Sequence, residues 1–421
     1  MSRITHLIFT ACLLIGFNSS AQQIQVGRNN VPDPKNVSVE NIDRIKGKIK
    51  TGAEQTELYL PYLKGKRVGM VVNPTSIIGN TTLVDSLLAL GVKIVKIFGP
   101  EHGFRGDASA GIHVENSIDE KTGIPAISLY GKYNKPSKED LADVDLLIYD
   151  IQDVGVRFYT YINTLQHVME ACADNNKELL ILDRPNPNGY YVDGPILDPK
   201  LKSGVGINPI PITHGLTIAE YAQMLNGEGW LANKAICKIK IIKNANYTHS
   251  MPYVLPVKPS PNLNTAQSIL LYPTLCLFEG TIISQGRGTY FPFSILGNPD
   301  LKGKYKFSFT PTGIKGMSET PLHMDLECYG LDLRQYSANK IRKEAKINLA
   351  WLIEMYNAYP YKEKFFDFKQ SKQMGNFDKL AGTYDLKQQI IAGKTEEEIR
   401  LSWEPGLSQY KIMRKKYLLY Q

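Results

Sequence analysis

The amino-acid sequence predicts an α/β fold in which a mostly parallel sheet carries helices on both faces, followed by a smaller α+β region. Three observations support this prediction. From about residue 66, apolar strand-like runs alternate with helical patterns, as in consecutive βαβ units. The strand-like runs are continuously apolar, which is typical of parallel strands covered on both faces. After residue 252 the pattern changes to short segments rich in proline and glycine.

Four apolar runs predict the strands of the sheet, and helical patterns lie between them. The predicted strands are Val68–Val72, Ile94–Phe98, Leu146–Tyr149 and Leu179–Leu182. Helices are predicted between residues 81 and 91 and between residues 160 and 177. Thr217 and Glu220 have the spacing of a capping box, which predicts a further helix that ends near Gly227. The run at residues 238–243 predicts another strand.

Residues 251–421 are predicted to form the smaller α+β domain, with a mixed sheet. Alternating apolar residues at 305–311 predict a strand, and a helical pattern runs from about Ala345 to Asn357. The chain closes on a basic tail at residues 414–416. We therefore divide the chain into a core domain at residues 44–250 and a second domain at 251–421 that completes a cleft.

The first 21 residues are typical of a secretory signal peptide. Arg3 precedes an apolar run from Leu7 to Phe17, and small residues up to Ala21 offer a cleavage site. The run is too short to span a bilayer as a helix. The sequence therefore predicts an exported protein, placed in the periplasm with secretion as the alternative, and no transmembrane segment once the leader is removed.

Composition narrows the class of protein. With 421 residues, of which 43% are hydrophobic, the chain has enough apolar surface for a core, which excludes intrinsic disorder and a disulfide-stapled miniprotein. The net charge of +8 is spread without a basic block, so nucleic acid is not a predicted partner, although an anionic ligand is favoured. The four cysteines that follow the predicted signal peptide lack metal-ligand spacing, and buried thiols are favoured over disulfides. These cysteines are Cys172, Cys237, Cys276 and Cys328.

Polar segments follow three of the predicted strands. They are GPEHGFRGD at residues 99–107, DIQDVGVRFY at 150–159 and DRPNPNG at 183–189. In open α/β sheets, ligands bind outside the carboxyl ends of the strands. One such segment alone is equally well explained as a solvated turn or a helix cap, whereas three on one rim favour an active site.

The chemistry of this rim is narrowed by motifs that the sequence lacks. No GxSxG, GxxxxGK[ST] or GxGxxG segment is present, which disfavours a serine hydrolase, a P-loop and a dinucleotide site. Carboxylates are the candidate catalytic groups that remain. Glycoside hydrolysis needs a pair of them, either an acid and a base or an acid and a nucleophile. Such a pair can be formed by Glu101 with Asp150, Asp153 or Glu279. Metal ligation by Glu101, His102 and Asp150 is the weaker alternative, because no HxH or HExxH spacing is present. No metal and no other cofactor is predicted.

Arginines and amides near these carboxylates are candidate ligands for an anionic sugar. Arg287 lies between two glycines, and its guanidinium fork suits a carboxylate, with an internal salt bridge as the alternative. His214 is either a rim residue or a histidine buried among apolar neighbours. The predicted catalytic residues are Glu101, His102, Asp150 and Asp153. The predicted substrate-binding residues are Arg105, Asp107, Tyr130, Gln152, Arg157, Tyr159, Arg184, Asn186, Asn188, His214, Asn262, Glu279 and Arg287.

Several long motifs together resemble the NamZ-like exo-β-N-acetylmuramidase family, a glycoside hydrolase family formerly catalogued as a bacterial domain of unknown function. They are GPEHGFRGDASAG, YDIQDVGVRFYTYI, LDRPNPNG, PITHGLTIAEYAQMLNGE, PSPNL, LYPTLCLFEGT and GRGT, and the resemblance extends from about residue 45 to the C-terminus. It implies a Rossmann-like catalytic domain and release of N-acetylmuramic acid from the non-reducing end of peptidoglycan fragments. It also assigns the principal catalytic carboxylate to Glu101.

The resemblance is consistent with the residues around the rim. The lactyl carboxylate of muramic acid gives the four candidate arginines an electrostatic reason to prefer this sugar over N-acetylglucosamine. Retaining, inverting and substrate-assisted routes remain open, as does the carboxylate that partners Glu101. One departure is Gln285, where the family usually has an acidic residue. The alternatives are a glycosidase for another amino sugar and a binding protein for peptidoglycan fragments that has no turnover.

Overall fold

The computed structural model describes residues 47–100, 104–105, 116–131, 134–366 and 377–420. In chain order, the strands up to residue 242 are β1 (Val68–Val72), β2 (Ile77–Ile78), β3 (Thr81–Thr82), β4 (Ile94–Gly99), β5 (Ser117–Ile118), β6 (Pro125–Ser128), β7 (Leu146–Asp150), β8 (Glu178–Leu182) and β9 (Lys238–Ile242). The helices of this region are α1 (Thr56–Leu63), α2 (Leu83–Ala89), α3 (Tyr161–Asp174) and α4 (Ile218–Gly227). Within the described ranges, no helix is both long enough and apolar enough to cross a membrane.

The main sheet has the strand order β5-β6-β4-β1-β7-β8-β9. All its pairs are parallel except β5 with β6. The α/β fold class is therefore confirmed, and so are the predicted strands at β1, β4, β7, β8 and β9. Strands β2 and β3 form a separate antiparallel pair.

Each central strand divides its side chains between two apolar cores. In β1, Met70 packs into a core with residues of α1 and α2, whereas Val71 packs into the larger core with residues of α3 and α4. The neighbouring Leu147 and Ile148 of β7 divide in the same way. Successive side chains of a strand point to opposite faces, so helices on both faces require an apolar residue at every position.

The predicted capping box opens helix α4. The Thr217 hydroxyl accepts from the backbone N–H of Glu220 at 3.4 Å, and the Glu220 carboxylate accepts from the backbone N–H of Thr217 at 2.9 Å. Helix α2 is shorter than predicted, because Thr82 ends β3 and its hydroxyl accepts from the backbone N–H of Asp85. Both helices therefore begin at a threonine cap, which pairs backbone donors at the helix start.

The second region packs helices around a small sheet. Its elements are α5 (Ala266–Leu275), β10 (Ile295–Asn298), β11 (Phe307–Phe309), β12 (Cys328–Asp332), α6 (Ala338–Glu344), α7 (Leu349–Ala358), α8 (Phe377–Ala381), α9 (Asp385–Ile391) and α10 (Glu396–Lys415). The sheet order is β10-β12-β11, and both pairs are antiparallel, so the predicted mixed sheet is wrong. Helix α7 begins four residues later than predicted, because Ala345 ends α6 in a left-handed conformation with φ of 47°.

The basic residues predicted to close the chain are helical, because residues 414 and 415 form the last turn of α10. This helix buries a stripe of apolar side chains that includes Ile399, Trp403 and Leu407. These residues belong to the same core as the side chains on one face of the main sheet. The C-terminal helix is therefore part of the body of the protein, and the domain division near residue 250 stays a prediction.

Candidate active site

The carboxyl ends of β1 and β7 lie where the chain direction across the sheet reverses. The chain runs from β1 outward to β4 and β6 and then returns to β7 on the other side of β1. Such a switch point leaves a crevice in which α/β proteins bind ligands. The segments that follow β1, β7 and β8 are described. Glu101, His102 and Asp107, which follow β4, lie outside the described residues.

Asp150 and Arg184 form a buried ion pair at this rim. The guanidinium donates from Nε to Asp150 Oδ1 at 2.6 Å and from Nη2 to Oδ2 at 2.8 Å, and Nη2 also donates to the Ile77 carbonyl. Burial raises the pKa of the Asp150 carboxyl, and the Arg184 charge opposes that rise. Because the two side chains are paired with each other, we assign a structural role at the rim to both. This replaces the predicted catalytic role of Asp150 and the predicted substrate-binding role of Arg184.

Asp153 differs from Asp150 because one of its oxygens is unengaged. Its Oδ2 accepts from the backbone N–H of Gly155 at 2.7 Å and lies 3.6 Å from His214 Nε2. Its Oδ1 is buried and has no hydrogen-bond partner within the described part of the chain. Gly155 has φ of 80°, a left-handed conformation that favours glycine and allows this tight turn. Asp153 is thus a buried, oriented carboxylate with a free acceptor.

His214 faces Asp153 in a defined tautomer. The backbone N–H of Leu216 donates to His214 Nδ1 at 3.2 Å, so in the neutral ring the proton is on Nε2, which points at Asp153. Helix α10 holds this segment, because the Tyr410 hydroxyl donates to the His214 carbonyl at 2.8 Å and Arg414 Nε donates to the Gly215 carbonyl at 2.9 Å. The predicted alternative of a buried histidine with a backbone partner is therefore the one observed, and a role of His214 in substrate binding stays a prediction.

The predicted amides Asn186 and Asn188 build the loop after β8. Asn186 Nδ2 donates to the Leu216 carbonyl at 2.8 Å, and its Oδ1 accepts from the backbone N–H of Asn188 at 2.8 Å. Asn188 Nδ2 donates to the carbonyls of Val154 and Ile269. Asn186 therefore has a structural role. Asn188 retains a buried Oδ1 that has no partner among the described residues.

Two further predicted arginines are also engaged by the protein. Arg105 forms a two-pronged ion pair with Asp119, at 2.6 and 2.7 Å. Arg157 is fully buried, and its terminal nitrogens donate to the carbonyls of Pro195, Ile210, Leu380 and Ala381. Burial lowers the pKa of Arg157 to about 9. We therefore reassign Arg157 from substrate binding to joining the main sheet region with helix α8.

Arg287 keeps its terminal nitrogens available. Its Nε donates to Glu279 Oε1 at 2.7 Å, and neither terminal nitrogen donates to any other described residue. The Arg287 side chain is 21% exposed, whereas Glu279 is 3% exposed. Gln285 Nε2 also donates to Glu279 Oε1, at 3.0 Å. Glu279 therefore orients Arg287 through the predicted internal salt bridge, while the binding of a substrate carboxylate by the terminal nitrogens stays a prediction.

Aromatic contacts connect the rim with Arg287. The Tyr159 hydroxyl donates to the Pro259 carbonyl at 2.8 Å, and its ring lies 6.0 Å from that of Tyr272. The Tyr272 ring is 4.8 Å from that of Phe293, and the Arg287 guanidinium lies 5.2 Å from the Phe293 ring. Tyr159 thus links the segment after β7 to the second region.

Two other predicted ligands lie on loops. Tyr130 follows β6, and its backbone N–H donates to the Ser128 hydroxyl at 3.3 Å. Asn262 Nδ2 donates to the Met317 carbonyl at 3.1 Å, and its buried Oδ1 has no partner within the described ranges. Asn262 is therefore anchored at one end of its amide and keeps an acceptor at the other.

The sequence prediction missed the loop after β1. Asn73, Thr75 and Ser76 are all buried there, and the Ser76 hydroxyl donates to the Asp150 carbonyl. Applying the strand-end rule to β1, the first strong apolar run, identifies this segment. Asp183 was also missed as a titrating group, and burial raises its pKa to about 7.

Neither a metal cluster nor a disulfide is present in the described part of the chain. No three histidine, cysteine or acidic side chains there are placed to hold an ion. Cys172, Cys237, Cys276 and Cys328 are buried free thiols, and burial raises the pKa of Cys276 well above its ordinary value.

The chain is similar to known proteins over most of its length. Residues 68–267 match the family model described as exo-beta-N-acetylmuramidase NamZ, N-terminal, and residues 270–420 match its C-terminal counterpart. The peptidoglycan beta-N-acetylmuramidase NamZ of Bacillus subtilis (strain 168) is 41% identical over 416 residues, which cover 92% of this chain and 94% of the relative.

Two solved structures of Bacteroides fragilis DUF1343 family proteins have the same fold. One is 46% identical with a TM-score of 0.82, covering 89% of this chain and 99% of the other. The second is 30% identical with a TM-score of 0.72, covering 90% of this chain and 100% of the other.

Proposed function

The chain belongs to the exo-β-N-acetylmuramidase NamZ family, and from this premise we propose that it releases N-acetylmuramic acid from the non-reducing ends of peptidoglycan fragments. The observation that carries the proposal is the buried carboxylate of Asp153, which keeps an unengaged oxygen at the switch point of the sheet. A glycosidase needs such a carboxylate beside a second carboxyl group.

We assign the two catalytic carboxyl groups to Glu101 and Asp153. Glu101 follows β4 in the GPEHG motif that carries the family resemblance, and β4 pairs with β1 beside β7. Asp153 is favoured over the other candidates because Asp150 is occupied by Arg184 and Glu279 by Arg287. His102 stays a proposed catalytic residue through its place next to Glu101, and Asp107 a proposed substrate ligand in the same segment.

The separation of the Glu101 and Asp153 carboxyl groups distinguishes the possible routes. A separation of about 5 Å favours retention through a covalent glycosyl intermediate, and one of about 6.5–9.5 Å favours inversion with a water between the two groups. In a substrate-assisted route, the 2-acetamido group replaces the enzymic nucleophile, and the negative charge of Asp153 stabilises the positive charge that develops on it. In each case a carboxyl group protonates the leaving oxygen.

The lactyl carboxylate of N-acetylmuramic acid is the proposed ligand of Arg287. The two terminal nitrogens of this guanidinium form a planar fork that matches a carboxylate in geometry and charge. Glu279 orients the guanidinium by accepting from Nε, which leaves the two terminal nitrogens available to a ligand. Arg105, Arg157 and Arg184 contribute no comparable free fork, since each donates to the protein through its terminal nitrogens.

We further propose that the protein acts outside the cytoplasm, in the periplasm, after removal of residues 1–21. The proposal is supported by the leader pattern around Arg3 and the apolar run from Leu7 to Phe17. Peptidoglycan is an extracytoplasmic polymer, so an exported enzyme meets its substrate there. N-terminal sequencing of the protein purified from its own cells tests this step, with Gln22 as the expected first residue.

The experiment that tests the function compares two chromogenic substrates with the mature protein. We expect release of nitrophenol from 4-nitrophenyl β-N-acetylmuramide, and release at least about tenfold slower from the matching glucosaminide, since the latter lacks the carboxylate that Arg287 binds. Faster turnover of the glucosaminide contradicts the proposed substrate. Tight binding of muramic acid without turnover of either substrate supports a binding protein instead.

A further inference from the structure

Two buried side-chain amides near the carboxyl ends of β1 and β7 each leave one polar atom unpaired. Asn73 is 3% exposed and Gln152 is 2% exposed. Asn73 Nδ2 and Gln152 Oε1 have no hydrogen-bond partner among the described residues, although both atoms are buried. An unpaired donor and an unpaired acceptor in a protein interior are each costly, so such a pair at the switch point of the sheet is a candidate for a ligand that supplies the missing bonds.

The orientation of the Asn73 amide follows from its neighbours. The backbone N–H of Thr75 donates to Asn73 Oδ1 at 2.9 Å, and the Thr75 hydroxyl donates to the same atom at 2.5 Å. A backbone N–H is only a donor, so the atom that faces it must be the amide oxygen. Asn73 therefore presents its NH₂ group as the unpaired end.

The Gln152 amide is oriented by two carbonyls. Its Nε2 donates to the carbonyl of Asp153 at 2.7 Å and to that of Pro185 at 2.8 Å. Carbonyl oxygens only accept, so the atom that faces them must be nitrogen, and the unpaired end is the oxygen. The backbone N–H of Gln152 donates to Thr75 Oγ1 at 3.0 Å, and Thr75 thereby ties both amides into one network.

The two unpaired atoms belong to side chains at neighbouring strand ends. Asn73 follows β1 and Gln152 follows β7, and the nitrogen end of the Gln152 amide, rather than its unpaired oxygen, faces Pro185 in the segment after β8. In the sheet, β7 lies between β1 and β8. The N–H and C=O of a planar trans secondary amide point in opposite directions, so a site for such an amide needs a donor on one side and an acceptor on the other.

We propose that Asn73 and Gln152 bind the 2-acetamido group of the sugar. Asn73 Nδ2 donates to the acetyl carbonyl oxygen, and Gln152 Oε1 accepts from the acetamido N–H. This inference rests on the proposed function, since it assigns part of the same substrate. It makes the pair a determinant of specificity against sugars with a hydroxyl at C2, because such a sugar leaves a buried amide atom unpaired.

The test is a comparison of two ligands by titration calorimetry on the mature protein. One is N-acetylmuramic acid and the other is 3-O-(1-carboxyethyl)-glucose, which keeps the lactyl carboxylate but has a hydroxyl at C2. We expect the wild type to prefer N-acetylmuramic acid by about 100-fold, at about tenfold for each hydrogen bond. Asn73→Asp keeps an acceptor for Thr75 and replaces the donor by a carboxylate oxygen, so it lowers the preference to about tenfold or less. The added negative charge repels the carboxylate that both ligands carry, and this repulsion therefore leaves their ratio unaffected.

A second variant and a matched control guard against a folding effect. Gln152→Met removes the acceptor and is expected to lower the same preference about tenfold. Asn226→Ala removes an amide of α4 whose two ends pair with the backbone of Cys237, and it should leave the preference unchanged. A general loss of structure weakens both ligands alike and does not change their ratio.

The outcomes separate this inference from the proposed function. If the wild type binds neither sugar, the proposed function fails. If the wild type prefers N-acetylmuramic acid while Asn73→Asp and Gln152→Met retain that preference, the assignment of the acetamido site is wrong and the function stands. Loss of the preference in both variants, with retained affinity for the 2-hydroxy sugar, supports the assignment.

Discussion

Replacement of Arg287 by lysine separates the two tasks of its guanidinium. In the wild type, Nε donates to Glu279 Oε1 at 2.7 Å while the two terminal nitrogens stay free of described partners. A lysine has one ammonium group, which is unable to reproduce this geometry. We expect the introduced ammonium group to pair with Glu279, which is 3% exposed and costly to leave without a counter-charge, and to give up the lactyl carboxylate.

The size of the effect follows from the bonds that are lost. A hydrogen bond between charged groups contributes about 1.5–3 kcal/mol, and the 21% exposure of Arg287 places it at the lower end because water screens the pair. A loss of about 1.5 kcal/mol corresponds to roughly a tenfold fall in kcat/KM. The fall should appear with 4-nitrophenyl β-N-acetylmuramide, and the kcat/KM for the glucosaminide should change less than about threefold, since that sugar lacks the carboxylate.

Arg67→Lys is the matched control for this prediction. Arg67 donates to Asp145 through Nε and Nη2 at 3.2 and 2.7 Å. The two residues directly precede β1 and β7, so they lie at the amino ends of these strands, opposite the rim. The control should leave the ratio of the two kcat/KM values unchanged. Equal losses on muramide and glucosaminide in Arg287→Lys would refute the assignment of Arg287 to the lactyl carboxylate.

Three further predictions concern buried charges. Burial raises the pKa of Asp183 to about 7, so its carboxyl holds a proton more tightly in the folded than in the unfolded chain. The Asp183 carboxyl should therefore contribute a fall of at most about 4 kcal/mol to the free energy of unfolding as the pH rises from 4 to 7. Asp183→Asn should remove this contribution, so its free energy of unfolding in urea titrations should fall less, or rise more, over this range than that of the wild type; equal slopes contradict the prediction. Arg157→Met leaves four carbonyls without donors and should cost about 2–4 kcal/mol of stability, whereas a loss below about 0.5 kcal/mol, on the order of a surface substitution, contradicts its structural role. Asp150→Asn leaves Arg184 without its counter-charge and should cost about 3–5 kcal/mol, whereas Asp153→Asn should mainly lower kcat; the reverse pattern contradicts their assigned roles.

Most strands of the main sheet were predictable because a strand that is buried on both faces has a continuous run of apolar residues. The run from Val68 to Val72 is apolar at every position, and each residue is buried. Strands β5 and β6 have two and four residues with mostly exposed or intermediate positions, which leaves no such pattern. Helix α10 was missed because Pro405 and Gly406 interrupt its pattern, although the Thr395 capping box marks its start.

The strand ends that form the candidate site could be identified from the sequence, but the partners of several of its residues could not. The strand-end rule identifies the segment that holds Asp150, and no local pattern reveals that Arg184, 34 residues later, occupies its carboxylate. Arg157 similarly donates to carbonyls more than 220 residues away. The hydrogen-bond partners of a side chain depend on distances in the folded protein. The four arginines therefore looked alike in the sequence, although their partners differ in the structure.

We propose that Glu101 and the rim carboxylate of Asp153 together hydrolyse the glycosidic bond of N-acetylmuramic acid. The most direct test of this proposal is the rate at which wild type and Glu101→Gln release N-acetylmuramic acid from its β-linked disaccharide with N-acetylglucosamine. A sugar leaving group needs a proton, so the variant should lose about 10²–10⁴ in kcat while its melting temperature is retained. Release by Glu101→Gln at the wild-type rate would show that Glu101 is not the catalytic acid.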